Sequence, residues 1–154
     1  MSRPRPRILA IDDTPTNLLT LGAALEADFD LQITTSGAMG LAMATKAPPD
    51  LILLDVMMSE MDGYETCRRI KASPALRAIP VIFITALAGI STESLGLTLG
   101  AADYITKPIN VEITRLRICN LLERERLRKE VEEHRDHLEE LVQARTLALS
   151  VAKE

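Results

Sequence analysis

From Arg7 to about Leu122, short apolar runs alternate with longer segments of helical period. Five runs read as strands: Ile8 to Ile11, Leu31 to Thr34, Leu51 to Leu54, Val81 to Ile84, and the short pair Tyr104-Ile105. Strands separated by helices build a parallel sheet from βαβ units. Their near-continuous Ile, Leu and Val content predicts central strands covered on both faces. Between the strands, Pro15 follows Thr14 at a first helical position and Leu18, Leu19, Leu21 and Leu25 continue at helical spacing. Ser36 caps a second helix that Pro48-Pro49 stops after Ala47, and Gly63 precedes a third, Tyr64 to Ala72, which Ser73-Pro74 ends. A fourth is expected from Ser91 or Thr92 to Gly100, and a fifth begins near Asn110 with no breaker after it.

Beyond Leu122 the pattern changes. Glu, Arg and Lys dominate, glycine and proline vanish, and the apolar positions thin to one seam. Leu127, Val131, His134, Leu138, Leu141, Arg145 and Ala148 fall at alternating steps of four and three, the spacing of a coiled coil. The expected organisation is a disordered arm over 1–6, a globular domain over 7–122 and a coiled-coil linker helix over 123–154 that leads to a further domain.

Composition narrows the function classes. The 154 residues, 47% hydrophobic and 26% charged, allow one ordinary core and an appendage. A net charge of -4 provides no general attraction to nucleic acid or to anionic membranes. Cys67 and Cys119 stand far apart, without the spacing of a zinc site or a disulfide framework, which suits a reducing cytoplasm. No stretch resembles a signal-peptide core or reaches the length of a bilayer span.

The candidate chemistry lies where strands end. Asp12 and Asp13 follow the first strand and Asp55 follows the third. In an open parallel sheet these positions share the carboxyl edge, where ligands bind. Three carboxylates gathered there repel one another unless a cation compensates, and Mg²⁺, a hard ion with oxygen ligands, meets that need. Thr85 after the fourth strand offers a hydroxyl donor, and Lys107 after the fifth offers a positive charge. Such a set can hold the oxygens of a transferring phosphoryl group while Asp55 attacks in line. Singly, each residue reads as a helix cap, a strand end or a solvated lysine. Their joint placement carries the functional reading.

The segments Ile8-Leu-Ala-Ile-Asp12-Asp13, Leu51-Ile-Leu-Leu-Asp55-Val-Met-Met, Met61-Asp62-Gly63, Ile82-Phe-Ile-Thr85-Ala86 and Gly100-Ala-Ala-Asp-Tyr104-Ile-Thr-Lys107-Pro108 closely resemble the receiver domain of bacterial two-component response regulators. The resemblance covers about residues 5 to 122. It implies an α/β doubly wound, flavodoxin-like fold of five parallel strands in the order 2-1-3-4-5, with the C-terminal helix extended into a coiled coil. It implies Asp55 as phospho-acceptor, and Asp13, Asp55 and the backbone carbonyl of Met57 as direct Mg²⁺ ligands, with Asp12 acting through an intervening water. Lys107 resembles the lysine that pairs with the acceptor, across a cis bond to Pro108. Thr85 with Tyr104 resembles the couple that moves on phosphorylation, altering the surfaces after the fourth and fifth strands. Met57 and Leu87 flank the family's water path, so two apolar residues there imply slow self-hydrolysis. Ala86 leaves room beside the phosphoryl group, and Gly89 can absorb backbone change in the loop that moves.

The implied partners are a cognate histidine kinase or phosphotransfer protein and a second copy of the chain, joined through the C-terminal helix. The resemblance implies no direct nucleic-acid or membrane contact and no catalysis beyond the domain's own phosphorylation and dephosphorylation. Ser59 departs from the pattern, since many receivers carry proline there, and this puts the stiffness of the loop in doubt. A phosphatase with an aspartyl-phosphate intermediate fits less well, because Asp55-Val56-Met57 has no second acid two residues on. A degenerate scaffold conflicts with the intact five residues. His134 and His137 lack the flanking residues of a sensor-kinase phosphohistidine, so they read as helix surface and seam.

Overall fold

The structure, a computed structural model, describes residues 5–86, 95–96 and 98–152. The start expected for a fourth helix at Ser91 or Thr92, and the positions of Leu87 and Gly89, lie outside the described residues. Five strands, β1 (Arg7–Ile11), β2 (Asp30–Thr34), β3 (Leu51–Asp55), β4 (Val81–Thr85) and β5 (Asp103–Thr106), form one sheet in the order β2-β1-β3-β4-β5. Every pairing is parallel. This is the doubly wound arrangement expected, with β1 and β3 adjacent at the point where the order reverses.

The expected coverage of central strands on both faces is met in the middle of the sheet and not at its edges. Every residue of β3 and β4 is buried, whereas β2 keeps Asp30 and Ile33 exposed and β5 keeps Thr106 exposed. The order explains the difference: β2 and β5 are the edges, and an edge strand leaves part of its surface to water.

Among the described residues, α1 (Pro15–Leu25), α2 (Gly37–Lys46) and α3 (Gly63–Ala72) connect the first four strands. Ser36 caps α2, its hydroxyl accepting from the Met39 amide at 3.0 Å. Asp62 caps α3, its carboxylate accepting from the Glu65 amide at 2.8 Å, so Gly63 is the first helical residue instead of the one before it. One face of the sheet, carrying Leu9, Ile11, Ile52, Leu54 and Phe83, packs with Ala44, Cys67 and Ile70 of α2 and α3. By strand alternation Ile8, Ala10, Leu51, Leu53, Ile82 and Ile84 occupy the other face, and all are buried. Leu18, Leu21 and Leu25 of α1 are buried too, as is Ile118 of the C-terminal helix. Arg115 joins those two helices by donating to the Ala24 carbonyl at 2.8 Å and pairing with Asp28 at 3.0 Å.

At the start of the chain, Arg5 donates to the Glu26 carbonyl at 3.0 Å, and the Pro6 carbonyl accepts from the Asp30 amide at 2.9 Å. The C-terminal helix, Val111–Ala152, begins with the Asn110 side chain accepting from the Ile113 amide at 3.0 Å and carries neither glycine nor proline. By its internal contacts the chain divides into two units, Met1–Cys119 and Asn120–Glu154. The second unit is helical, with Arg126 bonded to Glu123 and Glu130, and Arg128 bonded to Glu125 and Glu132, at helical spacings of three and four.

Candidate functional site

Parallel register brings the strand ends to one edge. Ile11 lies opposite Leu54, Asp55 opposite Ile84, and Thr85 opposite Thr106. Asp12 therefore leaves β1 beside the last residue of β3, Asp55, and next along the edge comes Thr85 at the end of β4. Carboxylate oxygens of Asp12, Asp13 and Asp55 lie within 4.8 Å of one another. Asp12 and Asp55 are buried and Asp13 is partly exposed, so the cluster opens to solvent on one side.

Lys107 reaches this edge from beyond β5. Its Nζ lies 3.0 Å from Asp55 Oδ1 and 3.6 Å from Asp12 Oδ2. Its amide donates to the Thr85 carbonyl at 2.7 Å, and the bond to Pro108 is cis, as the sequence led us to expect. Burial pushes the Asp55 carboxyl above the usual carboxylate range. The Lys107 hydrogen bond pulls it back, while the charges of Asp12 and Asp13 push it up again. Oxygen-only donors around a buried carboxyl that resists ionisation fit a hard divalent cation.

The sequence placed Asp12, Asp13, Asp55, Thr85 and Lys107 at the carboxyl edge, and the structure brings the three aspartates and Lys107 into contact there. Thr85 is buried beside them as the last residue of β4. Tyr104 sits farther back, within β5 and opposite Phe83, packed against the α2–α3 core. Thr85 is two residues past Phe83, so Thr85 and Tyr104 are diagonal neighbours on one face of the sheet. The Arg117 guanidinium lies 5.9 Å from the Tyr104 ring centre, donates to the Tyr104 carbonyl at 3.1 Å, and pairs with Asp103 at 2.8 Å. The side chain of Met57 is exposed two residues past Asp55.

Several supporting residues escaped the sequence reading. The Thr14 amide donates to Asp12 Oδ1 at 2.9 Å and Asn17 Nδ2 to Asp12 Oδ2 at 3.0 Å. Asn17, five residues past Asp12 in the first turn of α1, had the polar side chain needed to reach back. Ser59, expected to loosen its loop, binds Asp13: its amide donates to Oδ2 at 2.9 Å and its hydroxyl approaches the same oxygen at 3.4 Å. Gly63 donates to the Val56 carbonyl at 2.9 Å and packs so tightly that a Cβ there would collide with the Asp55 carbonyl.

The family model for the response regulator receiver domain matches residues 8–119. The chain belongs to that family, whose members are signalling domains homologous to the phospho-accepting modules of two-component systems. It is 47% identical to the response regulator PleD of Caulobacter vibrioides over 105 residues, 68% of this chain and 23% of PleD. Against the DNA-binding dual master transcriptional regulator RpaA of Synechocystis it is 40% identical over 121 residues, 77% of this chain and 50% of that protein. The signal receiver domain of a signal transduction histidine kinase from Syntrophus aciditrophicus superimposes with a TM-score of 0.70 at 36% identity, covering 77% of this chain and 90% of that one. The chain thus spans between 12% and 50% of the length of these and similar curated relatives. No helix among the described residues is long and apolar enough to cross a membrane.

Proposed function

We propose that this domain accepts a phosphoryl group on Asp55 in a Mg²⁺-dependent reaction, with a phosphohistidine of a histidine kinase or phosphotransfer protein as donor. The observation that carries this reading is the Lys107 ammonium 3.0 Å from Asp55 Oδ1, inside a cluster of three aspartates at the carboxyl edge of the sheet. In the reaction an Asp55 carboxylate oxygen forms a bond to phosphorus as the phosphorus–nitrogen bond breaks. The imidazole leaves with the electron pair and takes up a proton.

Asp13 and Asp55, with the Met57 carbonyl, would hold Mg²⁺ directly, and Asp12 would do so through water. When bound, the ion neutralises charge on the phosphoryl oxygens. Lys107 pairs with an oxygen of the phosphorylated side chain, and the Thr85 hydroxyl donates to another. Recruitment of Thr85 draws it toward Asp55 and alters the space beside Tyr104, its diagonal neighbour, so the surface of β4 and β5 changes.

We further read 7–122 as the receiver, 1–6 as an arm and 123–154 as a linker helix that pairs in parallel with a second copy and carries the signal to an output domain. The exposed seam of Leu127, Val131, Leu138 and Leu141 supports pairing. The reading implies a cytoplasmic protein whose role is signalling, with no direct contact to nucleic acid or membrane.

Intact mass after incubation with Mg²⁺ and a small phosphodonor tests the assignment. One added phosphoryl group is expected, and labelling that persists undiminished in Asp55→Asn overturns it.

A further inference from the structure

The two metal-side carboxylates that follow β1 are anchored differently. Asp12 is held by its own neighbourhood, through the Thr14 amide and the Asn17 side chain. Among the described residues, the only local contact of Asp13 is the Thr14 hydroxyl at 3.4 Å from Oδ1, which is long and free to rotate away. Its strong contact comes from across the site, where the Ser59 amide donates to Oδ2 at 2.9 Å. Glu60, next in the chain, has left-handed backbone with φ +65°, and this turn belongs to the same loop.

We infer that Ser59 is a positioning residue for the metal site: its backbone N–H fixes Asp13 through Oδ2 and leaves Oδ1 to the divalent cation. The inference rests on the reading of Asp12, Asp13 and Asp55 as a Mg²⁺ site. The Ser59 amide engages Oδ2 at 2.9 Å, whereas its hydroxyl, at 3.4 Å from the same oxygen, is as long and as free to turn away as that of Thr14. Among the described residues, Oδ1 has only the Thr14 hydroxyl contact, which can be given up. A ligand held by a partner outside the coordination shell binds metal more tightly, because its orientation is set beforehand.

The essential donor is the amide and not the side chain. Ser59→Ala removes only the 3.4 Å hydroxyl contact. Ser59→Pro removes the N–H itself, since proline has none. A loop with proline at this position is stiffer but cannot hold Asp13, so in this chain the tether takes the place of stiffness.

Calorimetric titration with Mg²⁺ alone, on the full chain, separates these roles. Wild type and Ser59→Ala are expected to bind with affinities within about twofold of each other, and Ser59→Pro about tenfold more weakly. A readout on unsubstituted protein accompanies it: the Ser59 amide proton resonance, followed by NMR during the titration, should remain in its hydrogen-bonded position at saturation. Equal affinity in Ser59→Pro and wild type, with both folded by their thermal transitions, overturns the inference. So does movement of the Ser59 amide to a free position as Mg²⁺ binds, whatever the proline variant does. Wild type that binds no Mg²⁺ overturns the metal-site reading itself and this inference with it. Normal binding that disappears in Asp13→Asn leaves the site standing and puts only the role of Ser59 at stake.

Discussion

Lys107 places its ammonium 3.0 Å from Asp55 Oδ1 and 3.6 Å from Asp12 Oδ2, so one cation is shared by two buried carboxylates. Its side chain is only 22% exposed, which limits the screening that would weaken a surface pair. In the metal-free protein this ammonium is the cation that makes an acidic edge tolerable. A divalent ion arriving among the same carboxylates would take over part of that duty.

Replacing Lys107 by methionine keeps the apolar stem and removes the charge. The metal-free variant is expected to lose about 1–3 kcal/mol of stability, the usual cost of stranding a buried polar partner. Mg²⁺ should then raise its melting temperature by more than it raises that of the wild type. Thermal unfolding with and without Mg²⁺ measures both, and equal Mg²⁺ increments in the two proteins would contradict the shared-cation account.

Burial raises the Asp55 carboxyl, so the folded state holds its proton more tightly than the unfolded chain does. The sign follows from linkage. Below the ordinary carboxylate range Asp55 is protonated in both states and costs nothing, whereas above its folded value the buried charge penalises folding. Asp55→Asn should therefore raise metal-free stability at neutral pH, and that gain should shrink toward zero as the pH falls through the carboxylate range. Urea melts across that window, without divalent ions, test it. A gain that grows toward acid would reverse the sign and refute it.

A pair of glycine substitutions separates packing at the site from general helix effects. At Gly63 an added methyl would collide with the backbone of Asp55 and Val56, where nothing flexible can yield. Gly63→Ala should cost about 1–3 kcal/mol and weaken Mg²⁺ binding by displacing the end of β3. Among the described residues, Gly22, inside α1, has only the end of Leu31 nearby at 3.9 Å. Gly22→Ala should stabilise by about 0.5–1 kcal/mol through reduced chain entropy and leave Mg²⁺ affinity alone. Comparable losses in both would show that the Gly63 contact has no special role.

The fold and most of the candidate site were legible because both depend on strand ends. Apolar runs such as Leu51 to Leu54 have no other reading once helical segments flank them, and an acid at the end of such a run must lie at the sheet edge. The edge position of β2 was partly legible, because Leu31-Gln-Ile-Thr34 alternates apolar and polar residues where Ile8 to Ile11 and Leu51 to Leu54 are apolar throughout, but which of its side chains stay exposed was not. Pairing order decides that exposure. The anchors of the carboxylates were hidden for a different reason. Ser59 acts through its amide, which every residue but proline has, across 46 residues of sequence. Asn17 and Arg117 use ordinary polar side chains whose aim depends on the assembled helices.

The tail yields the last prediction. Leu127, Val131, Leu138 and Leu141 follow heptad spacing and are all exposed in the single chain, while the ion pairs of Arg126 and Arg128 remain within their own helix. A helix of this length with an unpartnered apolar seam is stabilised by a second helix more than by its own propensity. His134 and Arg145 fall on the same seam, where a buried polar group weakens association and fixes register. The full chain is therefore expected to form a weak parallel dimer, and a chain ending at Leu122 to be monomeric. His134→Leu should tighten the dimer, and Leu138→Lys should dissociate it. Sedimentation over a range of concentrations, with Mg²⁺ and a phosphoryl mimic present, reads all four. A monomeric full chain at high concentration, unchanged by His134→Leu, would rule out the seam as a dimer interface.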